Sequence, residues 1–336
     1  MAMQNKIPFE LSDYALKKYF LETGKRQNWL ENKNENVFLA VSGGGDSVAL
    51  LWLFHKFYEN KFSVIHVNHG IRNDEADEDE KFVKDLANSW DVEVFVKKIS
   101  IPNQKLKGES TETAARRLRL EAITQIVPRD SKIFLGHNRD DLAETVLFNL
   151  LRGSGVRGSV GITEFTEYKG LKFYRPLLGL RREFLREILK VRDIPWREDS
   201  TNKDENYTRN FIRLNLLPMI NEKINSSAVE HLANFAEDMR TFREFEDERS
   251  RELFGQCLES EAPDLILSRK ILRAFSNYER ILIIREAGRK LKLKTLSRRR
   301  CEELAELIAK PSNFIFQWER NIIVKGEKNK ILFREF

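Results

Sequence analysis

Short apolar runs alternate with longer helical segments along the first part of the chain. The runs are rich in β-branched residues, as buried strands typically are, and cover residues 37–41, 62–67, 92–96 and 132–136. Residues 48–57 are apolar over a longer stretch that favours a buried helix, and residues 110–113 carry helix-capping side chains. Strands that alternate with helices predict right-handed βαβ units, and therefore an α/β fold with a doubly wound parallel sheet.

The pattern changes at Ser227. Apolar residues then recur every three or four positions in a charged sequence as far as about Glu259, which predicts one long amphipathic helix. Residues 265–310 also have a helical pattern, and residues 313–336 alternate as strands do. We therefore expect three parts, namely a helical extension over 1–36, the α/β domain over 37–220, and a helical linker with a smaller α+β domain over 221–336.

The sequence Ser-Gly-Gly-Gly-Asp-Ser at residues 42–47 separates the first predicted strand from its helix. Glycines let the backbone adopt positive φ and let a ligand approach closely, and the start of a helix attracts an anion. Asp46 would repel a phosphate, but it fits if Mg²⁺ bridges its carboxylate to the phosphates. We therefore expect a nucleotide to bind at Ser42, Gly43, Gly44, Gly45, Asp46 and Ser47. A plain glycine turn is the alternative.

Further polar residues accompany the other strands. His66 lies in the second strand, and His137 and Asp141 follow the fourth. Ligands of open α/β sheets bind at the carboxyl ends of the strands, so we expect these side chains to converge there. Arg116 and Arg119 are three residues apart and therefore lie on one helix face. These arginines either belong to the site or are simply exposed to solvent.

Composition and charge narrow the class of protein. The chain is 41% hydrophobic and 33% charged, and no apolar run approaches the ~20 residues that span a bilayer, so we expect a cytoplasmic globular protein. Its two cysteines, Cys257 and Cys301, are too far apart and too few for a zinc or iron–sulfur site. Residues 265–336 carry 18 Lys and Arg against 8 Asp and Glu, which suggests a nucleic acid partner, although solvated helix faces explain this count equally well.

The glycine-rich loop matches the SGGxDS signature of the PP-loop ATPases, enzymes that split ATP into AMP and pyrophosphate. Other segments resemble, in order, the motifs of one PP-loop family, the tRNA(Ile)-lysidine synthetases. These segments are 66–72, 112–119, 136–145, 151–155, 175–178, 198–202 and 209–213. Two residues depart from the family pattern, because Asn138 replaces a second histidine and Leu120 replaces a usual tyrosine.

The resemblance implies a HUP-like fold and a reaction that joins L-lysine to C2 of the wobble cytidine in tRNA(Ile) with a CAU anticodon. ATP, with Mg²⁺, first adenylates the C2 oxygen, and the lysine ε-amine then displaces AMP. The implied catalytic residues are Asp46, Arg116, His137, Asp141 and Arg209, with His66 added to the ATP-binding loop.

Elementary chemistry suggests a task for each of these residues. Asp46 would orient Mg²⁺, and Asp141 would either take a second Mg²⁺ contact or position the lysine amine. Arg116 and Arg209 would offset negative charge that develops at the α-phosphate. Lysine must attack as a neutral amine, so Asp141 or His137 would take its proton.

The nearest alternatives are other PP-loop enzymes. A tRNA thiolase needs cysteines near the ATP site, and residues 1–256 contain none. A synthetase with a glutaminase part needs a nucleophilic cysteine near its N-terminus, which this sequence also lacks. A non-catalytic RNA-binding protein would have no need of Asp46, Asp141 and the arginines. The sequence leaves the oligomeric state open, with a homodimer as one option, and predicts no membrane association.

Overall fold

The computed structural model describes residues 9–30, 35–68, 70, 73–198, 208–319 and 321–335. The chain divides into two compact units, Met1–Glu237 and Asp238–Phe336. The sequence predicts three parts that are defined by function as well as by structure. This division into three parts stays a prediction.

A six-stranded sheet lies at the centre of the first unit. Its strands are β1 (Val37–Ala40), β2 (Ser63–Asn68), β3 (Val94–Lys98), β4 (Lys132–Leu135), β5 (Phe165–Tyr168) and β6 (Leu171–Tyr174). They lie in the order β3-β2-β1-β4-β6-β5, and all neighbours are parallel except β5 and β6. The predicted doubly wound α/β fold is confirmed. The strand order reverses between β1 and β4, and this is the position where such sheets bind ligands.

Helices precede, connect and follow these strands. They are α1 (Asp13–Arg26), α2 (Gly45–Phe57), α3 (Asn73–Ser89), α4 (Ile101–Gln104), α5 (Thr111–Ile126), α6 (Arg139–Leu151), α7 (Val156–Ser159), α8 (Arg182–Lys190), α9 (Thr208–Phe211) and α10 (Leu217–Lys223). A 3-10 turn at Phe9–Leu11 precedes α1, and a π-helical turn at Ile212–Leu216 joins α9 to α10. Such π turns are frequent at functional sites.

The N-terminal helix packs into the main core, as its apolar spacing predicts. Phe20 contacts Trp29 and Phe54 with ring centroids 5.0 and 5.1 Å apart. Tyr14, which we expected on the packed face, is instead 72% exposed. Leu16 takes the buried position, and residues two apart point to opposite sides of a helix.

The second unit contains an antiparallel sheet and helices. The strands β7 (Leu258–Ser260), β8 (Leu265–Ser268), β9 (Phe314–Glu319), β10 (Ile322–Gly326) and β11 (Lys330–Glu335) lie in the order β7-β8-β11-β10-β9. The helices are α11 (Ala228–Cys257), which both units share, and α12 (Arg269–Ala274), α13 (Asn277–Lys290) and α14 (Arg298–Ala309). The predicted long helix and C-terminal strands are confirmed.

Three local predictions were wrong. Residues 265–268 form a strand and not a helix, because Leu265 and Leu267 alternate inward while β8 pairs with β11. The strand β5 was missed because most of its residues are exposed and lack an apolar pattern. The predicted polar loop at 101–108 begins with the short helix α4. In the described parts of the chain, no helix is both long enough and apolar enough to span a membrane.

Candidate active site

The glycine-rich loop is held in shape by its own last serine. The Ser47 hydroxyl accepts hydrogen bonds from the backbone N–H groups of Ser42 and Gly43, both at 3.2 Å, and donates to the Gly44 carbonyl at 2.8 Å. Gly43 has φ of 97°, which favours glycine. Helix α2 begins at Gly45, with Gly44 as its N-cap. The loop therefore presents the amino end of a buried helix, as the sequence predicts.

A segment after α8 crosses this loop. The backbone N–H of Arg197 donates to the Gly43 carbonyl at 3.0 Å, and the Arg197 side chain pairs with Glu78 and Asp79 on α3. A Cβ on Gly45 would lie 3.4 Å from the Trp196 ring. The acidic start of α3 thus anchors the segment that supports the loop.

Asn138 and Asp141 begin the helix α6 together. The Asn138 side chain accepts the backbone N–H of Asp141 at 2.9 Å, and Asp141 Oδ2 accepts the backbone N–H of Asn138 at 3.0 Å. This reciprocal capping box satisfies two N–H groups at the helix start. The departure at Asn138 therefore leaves a residue suited to capping, and proton transfer falls to other groups.

Carboxylates and arginines meet beside the loop. Arg182, at the start of α8, lies 3.6 Å from Asp46 and contacts Asp141 at 2.9 Å and Glu144 at 3.0 Å. Glu144 is 1% exposed and also pairs with Arg213 at 2.8 Å. We call this group the acid–arginine cluster, which consists of Asp46, Asp141, Glu144, Arg182, Arg209 and Arg213.

The remaining arginines of the cluster come from the helical segment after residue 207. Arg213 lies in the π-helical turn and also contacts Asp141 at 3.0 Å. Arg209 lies 3.5 Å from Glu144, and its Nη2 donates to the Thr145 hydroxyl at 3.2 Å. In the charged start of this helix, the sequence favours a capping or surface role for Glu144, which is wrong because its side chain is buried among three arginines.

Burial and these charges shift the titration of the acids in opposite directions. Burial raises the pKa of Asp46 to about 6, although the charge of Arg182 opposes this. Burial also acts to raise the pKa of Asp141, but the charges of Arg182, Arg213 and Arg209 outweigh it and hold that pKa below its usual value. Asp141 is therefore firmly ionised, whereas Asp46 needs a further cation to be fully so.

His137 follows β4 and lies near the cluster. Burial lowers the pKa of His137 below its ordinary value, so its imidazole is neutral near pH 7. The nearby carboxylate of Asp141 opposes this shift, and the charges of Arg175, Arg209 and Arg119 reinforce it. His137, Asp141 and Arg209 are thus close enough to influence one another, as expected from the strand ends.

Arg116 occupies a more open position on α5. Its side chain is exposed. Burial of Arg175 is the main reason why the pKa of Arg175 falls to about 10, and the nearby charge of Arg116 adds to this shift. Arg175 is 6% exposed and donates to the Thr163 carbonyl at 2.9 Å and to the Thr166 hydroxyl at 3.1 Å. A buried guanidinium held by neutral groups retains its full charge for an anion. Sequence reasoning assigned Arg175 no role.

His66 is buried at the end of β2. Its Nδ1 lies 2.9 Å from the Val41 carbonyl, and burial lowers its pKa, so a neutral ring donates this hydrogen bond. The bond joins β2 to the residue that enters the glycine-rich loop. Contact between His66 and ATP stays a prediction. Residues 69, 71–72 and 199–202 of the quoted motifs lie outside the described residues, as does the side chain of Glu112.

The site fits a nucleotide that carries its own metal. Three buried atoms here, Asp46 Oδ1, His137 Nδ1 and Asn138 Nδ2, have no hydrogen-bond partner among the described residues. Unpaired buried polar atoms are costly, so they indicate groups that a ligand satisfies. No three His, Cys, Asp or Glu residues of the described chain converge as a metal site. Mg²⁺ needs only one or two carboxylates when phosphates supply the other ligands.

Sequence reasoning missed Arg182, Arg213 and Glu144 as members of the site. A signal for Arg182 exists in the sequence, because two arginines stand where a helix is predicted to begin. Cations are unfavourable at the positive end of a helix unless acids compensate them. Asp140 and Arg139 form ion pairs outside the cluster, with Arg181 and Glu230 respectively, as predicted.

Comparison with known proteins agrees with this fold. The PP-loop domain family matches residues 16–220. The solved U34-tRNA thiolase NcsA from Methanococcus maripaludis, with its [4Fe-4S] cluster, has a TM-score of 0.54 over 67% of this chain and 78% of that one. At 16% identity this likeness concerns the fold alone. The chain is thus an ATP-using protein of the PP-loop class.

Relatives in sequence narrow the class further. A tRNA(Ile)-lysidine synthase from Caldanaerobacter subterraneus subsp. tengcongensis is 30% identical over 94% of this chain and 70% of its own length. Another, from Solibacter usitatus, is 40% identical over 61% of this chain and 45% of its own length. The chain belongs to the tRNA(Ile)-lysidine synthase family, and it spans 70% of the length of the first of these relatives and 45% of the second.

Proposed function

We propose that this enzyme joins L-lysine to C2 of the wobble cytidine of tRNA(Ile) with a CAU anticodon. ATP activates the C2 oxygen by transferring AMP to it with loss of pyrophosphate, and the lysine ε-amine then displaces AMP. The position of the acid–arginine cluster beside the glycine-rich loop carries the proposal. It brings carboxylates for a metal and arginines for phosphates to the same end of the sheet.

The loop residues Ser42, Gly43, Gly44, Gly45 and Ser47 hold the phosphates at the start of α2. Asp46 and Asp141 are the residues that would hold Mg²⁺, which when bound neutralises phosphate charge and orients the phosphates. The raised pKa of Asp46 supports this assignment, because a buried carboxylate with an unpaired oxygen favours a cation.

Arginines stabilise the charge that develops during AMP transfer. Arg209 lies at the edge of the cluster, where its Nε is 3.5 Å from Glu144 and its Nη2 donates to the Thr145 hydroxyl. Arg116 is exposed on α5, where it is accessible to a large substrate. Fixed cations near the α-phosphate lower the barrier without any proton transfer.

His137 is the acceptor we assign for the lysine proton. Asp141 is the weaker candidate, because its pKa is held below its usual value and its carboxylate is the one we assign to Mg²⁺. His137 is neutral, and its Nδ1 has no partner among the described residues. A neutral imidazole can accept the proton that the amine nitrogen loses as its bond to C2 forms and AMP leaves.

Mass spectrometry of tRNA tests the reaction. The full chain, incubated with ATP, Mg²⁺, lysine and a tRNA(Ile) transcript, should add the mass of lysine less one water to the wobble cytidine. Without lysine, D46A should form no adenylated tRNA, whereas D85A, which alters an exposed acid on α3, should behave like the wild type. An unchanged transcript mass with the wild-type protein would contradict the proposed reaction.

We further propose that the second unit binds tRNA. Its basic balance includes Arg298 and Arg299 at the exposed start of α14, where Arg298 is 88% exposed. The double variant R298E/R299E should weaken tRNA binding and flatten its dependence on salt, because phosphate contacts release counterions. ATP affinity should stay the same. Equal tRNA affinity and an equal salt slope would count against this surface.

Thiolation is not favoured as an alternative. The likeness to a thiolase concerns the fold, and the two cysteines of this chain, Cys257 and Cys301, belong to the second unit and are both buried. Burial raises the pKa of Cys257 to about 12, so its thiol is unreactive near neutral pH.

A further inference from the structure

Arg182 contacts all three acids of the acid–arginine cluster. Its Nε lies 3.6 Å from Asp46 Oδ2, and its Nη2 lies 2.9 Å from Asp141 Oδ1 and 3.0 Å from Glu144 Oε1. Its backbone N–H donates to Asp140 at 2.8 Å, which fixes the start of α8. The guanidinium therefore connects the two residues to which we assign Mg²⁺.

This position is electrostatically unusual for an arginine. Arg182 is the first residue of α8, where the helix dipole disfavours a cation. The three acids outweigh that cost, because opposite charges at these separations attract strongly away from bulk water. The arrangement is therefore specific to the carboxylates, and Arg182 does not serve as a helix-capping residue.

The cluster is balanced in charge without any ligand. Asp46, Asp141 and Glu144 contribute three negative charges, and Arg182, Arg209 and Arg213 contribute three positive ones. A bare divalent cation would add two uncompensated positive charges. The same cation brought in by ATP has its charge compensated by the phosphates that bind it.

We propose that Arg182 is a positioning residue that occupies the place of the metal in the nucleotide-free enzyme. It keeps Asp46 and Asp141 oriented and excludes free divalent cations, so that metal enters only together with ATP. The contact with Asp46 is the longest of the three and leaves Asp46 Oδ1 without a partner among the described residues, so it is the contact that a metal displaces first. This inference rests on the proposed function, since it concerns the same metal ligands.

Binding of Mn²⁺ to the nucleotide-free full chain tests this role without ATP, lysine or tRNA. Mn²⁺ replaces Mg²⁺ at oxygen ligands, and its free concentration is measured by electron paramagnetic resonance. Wild-type protein should bind Mn²⁺ weakly. R182Q removes the resident charge, so its affinity for Mn²⁺ should rise by roughly tenfold or more. R181Q is the matched control, because Arg181 precedes Arg182 but pairs with Asp140 and Glu230.

Each result of the Mn²⁺ experiment either supports or overturns the role of Arg182. A rise in Mn²⁺ affinity for R182Q alone, accompanied by a larger thermal shift on adding Mn²⁺ than in the wild type, supports the role. Unchanged or weaker Mn²⁺ binding by folded R182Q overturns it. If R182Q does not fold, the wild type and D46N decide the question. Tight Mn²⁺ binding by the wild type that is lost in D46N overturns the role of Arg182, and weak Mn²⁺ binding by the wild type supports it. Absence of lysidine formation would instead contradict the proposed function.

Discussion

Gly136, after β4, lies directly against the backbone of Ser47 at the start of α2. A Cβ on Gly136 would come within 3.1 Å of both the Cα and the nitrogen of Ser47, closer than a side chain tolerates without movement. The absence of a side chain therefore lets the end of β4 approach the glycine-rich loop. This contact places His137 beside the first turn of α2, where Asp46 lies.

The contact predicts a defect in G136A. The added methyl group should push the loop and β4 apart, with a loss of about 1–3 kcal/mol in the free energy of unfolding and weaker ATP binding by calorimetry. G155A is the control, since a Cβ there meets nothing within 4 Å. Wild-type ATP affinity in G136A would show that the close approach does not shape the loop.

Ser47 should matter through the shape of the loop. S47A removes one acceptor for the Ser42 and Gly43 N–H groups and one donor to the Gly44 carbonyl, so we expect a loss of roughly 1–3 kcal/mol in stability and a clear loss of ATP affinity. Denaturant unfolding and calorimetry measure the two effects. S131A removes a buried hydroxyl that donates to the Pro128 carbonyl, and it should affect stability alone. Equal ATP affinities in the two variants would contradict this.

Glu35 should make the free energy of unfolding depend on pH in the acidic range. Its carboxylate pairs with the buried Lys132 at 2.6 Å and with Lys172 at 2.8 Å. Burial acts to raise the pKa of Glu35, but the hydrogen bonds from these two lysines outweigh it and hold that pKa below the ordinary 4.5. A depressed carboxyl pKa contributes stability above the unfolded value and loses it as pH falls through the folded value.

The corresponding variant is E35Q, which leaves Lys132 buried without a counter-ion. We expect a loss of roughly 3 kcal/mol in unfolding free energy at pH 7, shrinking as pH falls below about 4.5, because wild-type Glu35 then becomes neutral as well. Denaturant unfolding across pH measures this. E22Q alters a pair of exposed side chains 3.9 Å apart and should show almost no loss at any pH. A pH-independent difference for E35Q would rule out the ion pair as the cause.

Arg269 should control the stability of the second unit. Its side chain is fully buried and donates to five backbone carbonyls, those of Leu307, Ile308, Lys310, Ser312 and Glu327. R269M removes the donor to the Leu307, Ser312 and Glu327 carbonyls, so we expect a loss of about 3 kcal/mol or more and faster amide exchange at the end of α14. R298A, at the exposed start of the same helix, is the control. Unchanged exchange in R269M would contradict this role.

Local sequence patterns determined the main features of the fold. The apolar runs, the capping residues and the glycine-rich loop have effects within a few residues of themselves, so the strands β1 to β4, the helix starts and the loop at 42–47 follow from them. The edge strand β5 and the strand β8 did not follow, because their structure depends on pairing with β6 and β11 more than on their own composition.

The sequence determined part of the chemistry of the site, and the tertiary structure determined the rest. The sequence alone indicated Asp46, His137, Asp141 and Arg209 as site residues, since each belongs to a motif or follows a strand. Only the tertiary structure decided that Glu144 is buried and that Arg182 lies between it and Asp46. These ion pairs join α2, α6 and α8, elements distant in the chain, and the energy of such a pair depends on separation and burial, which the order of residues does not specify.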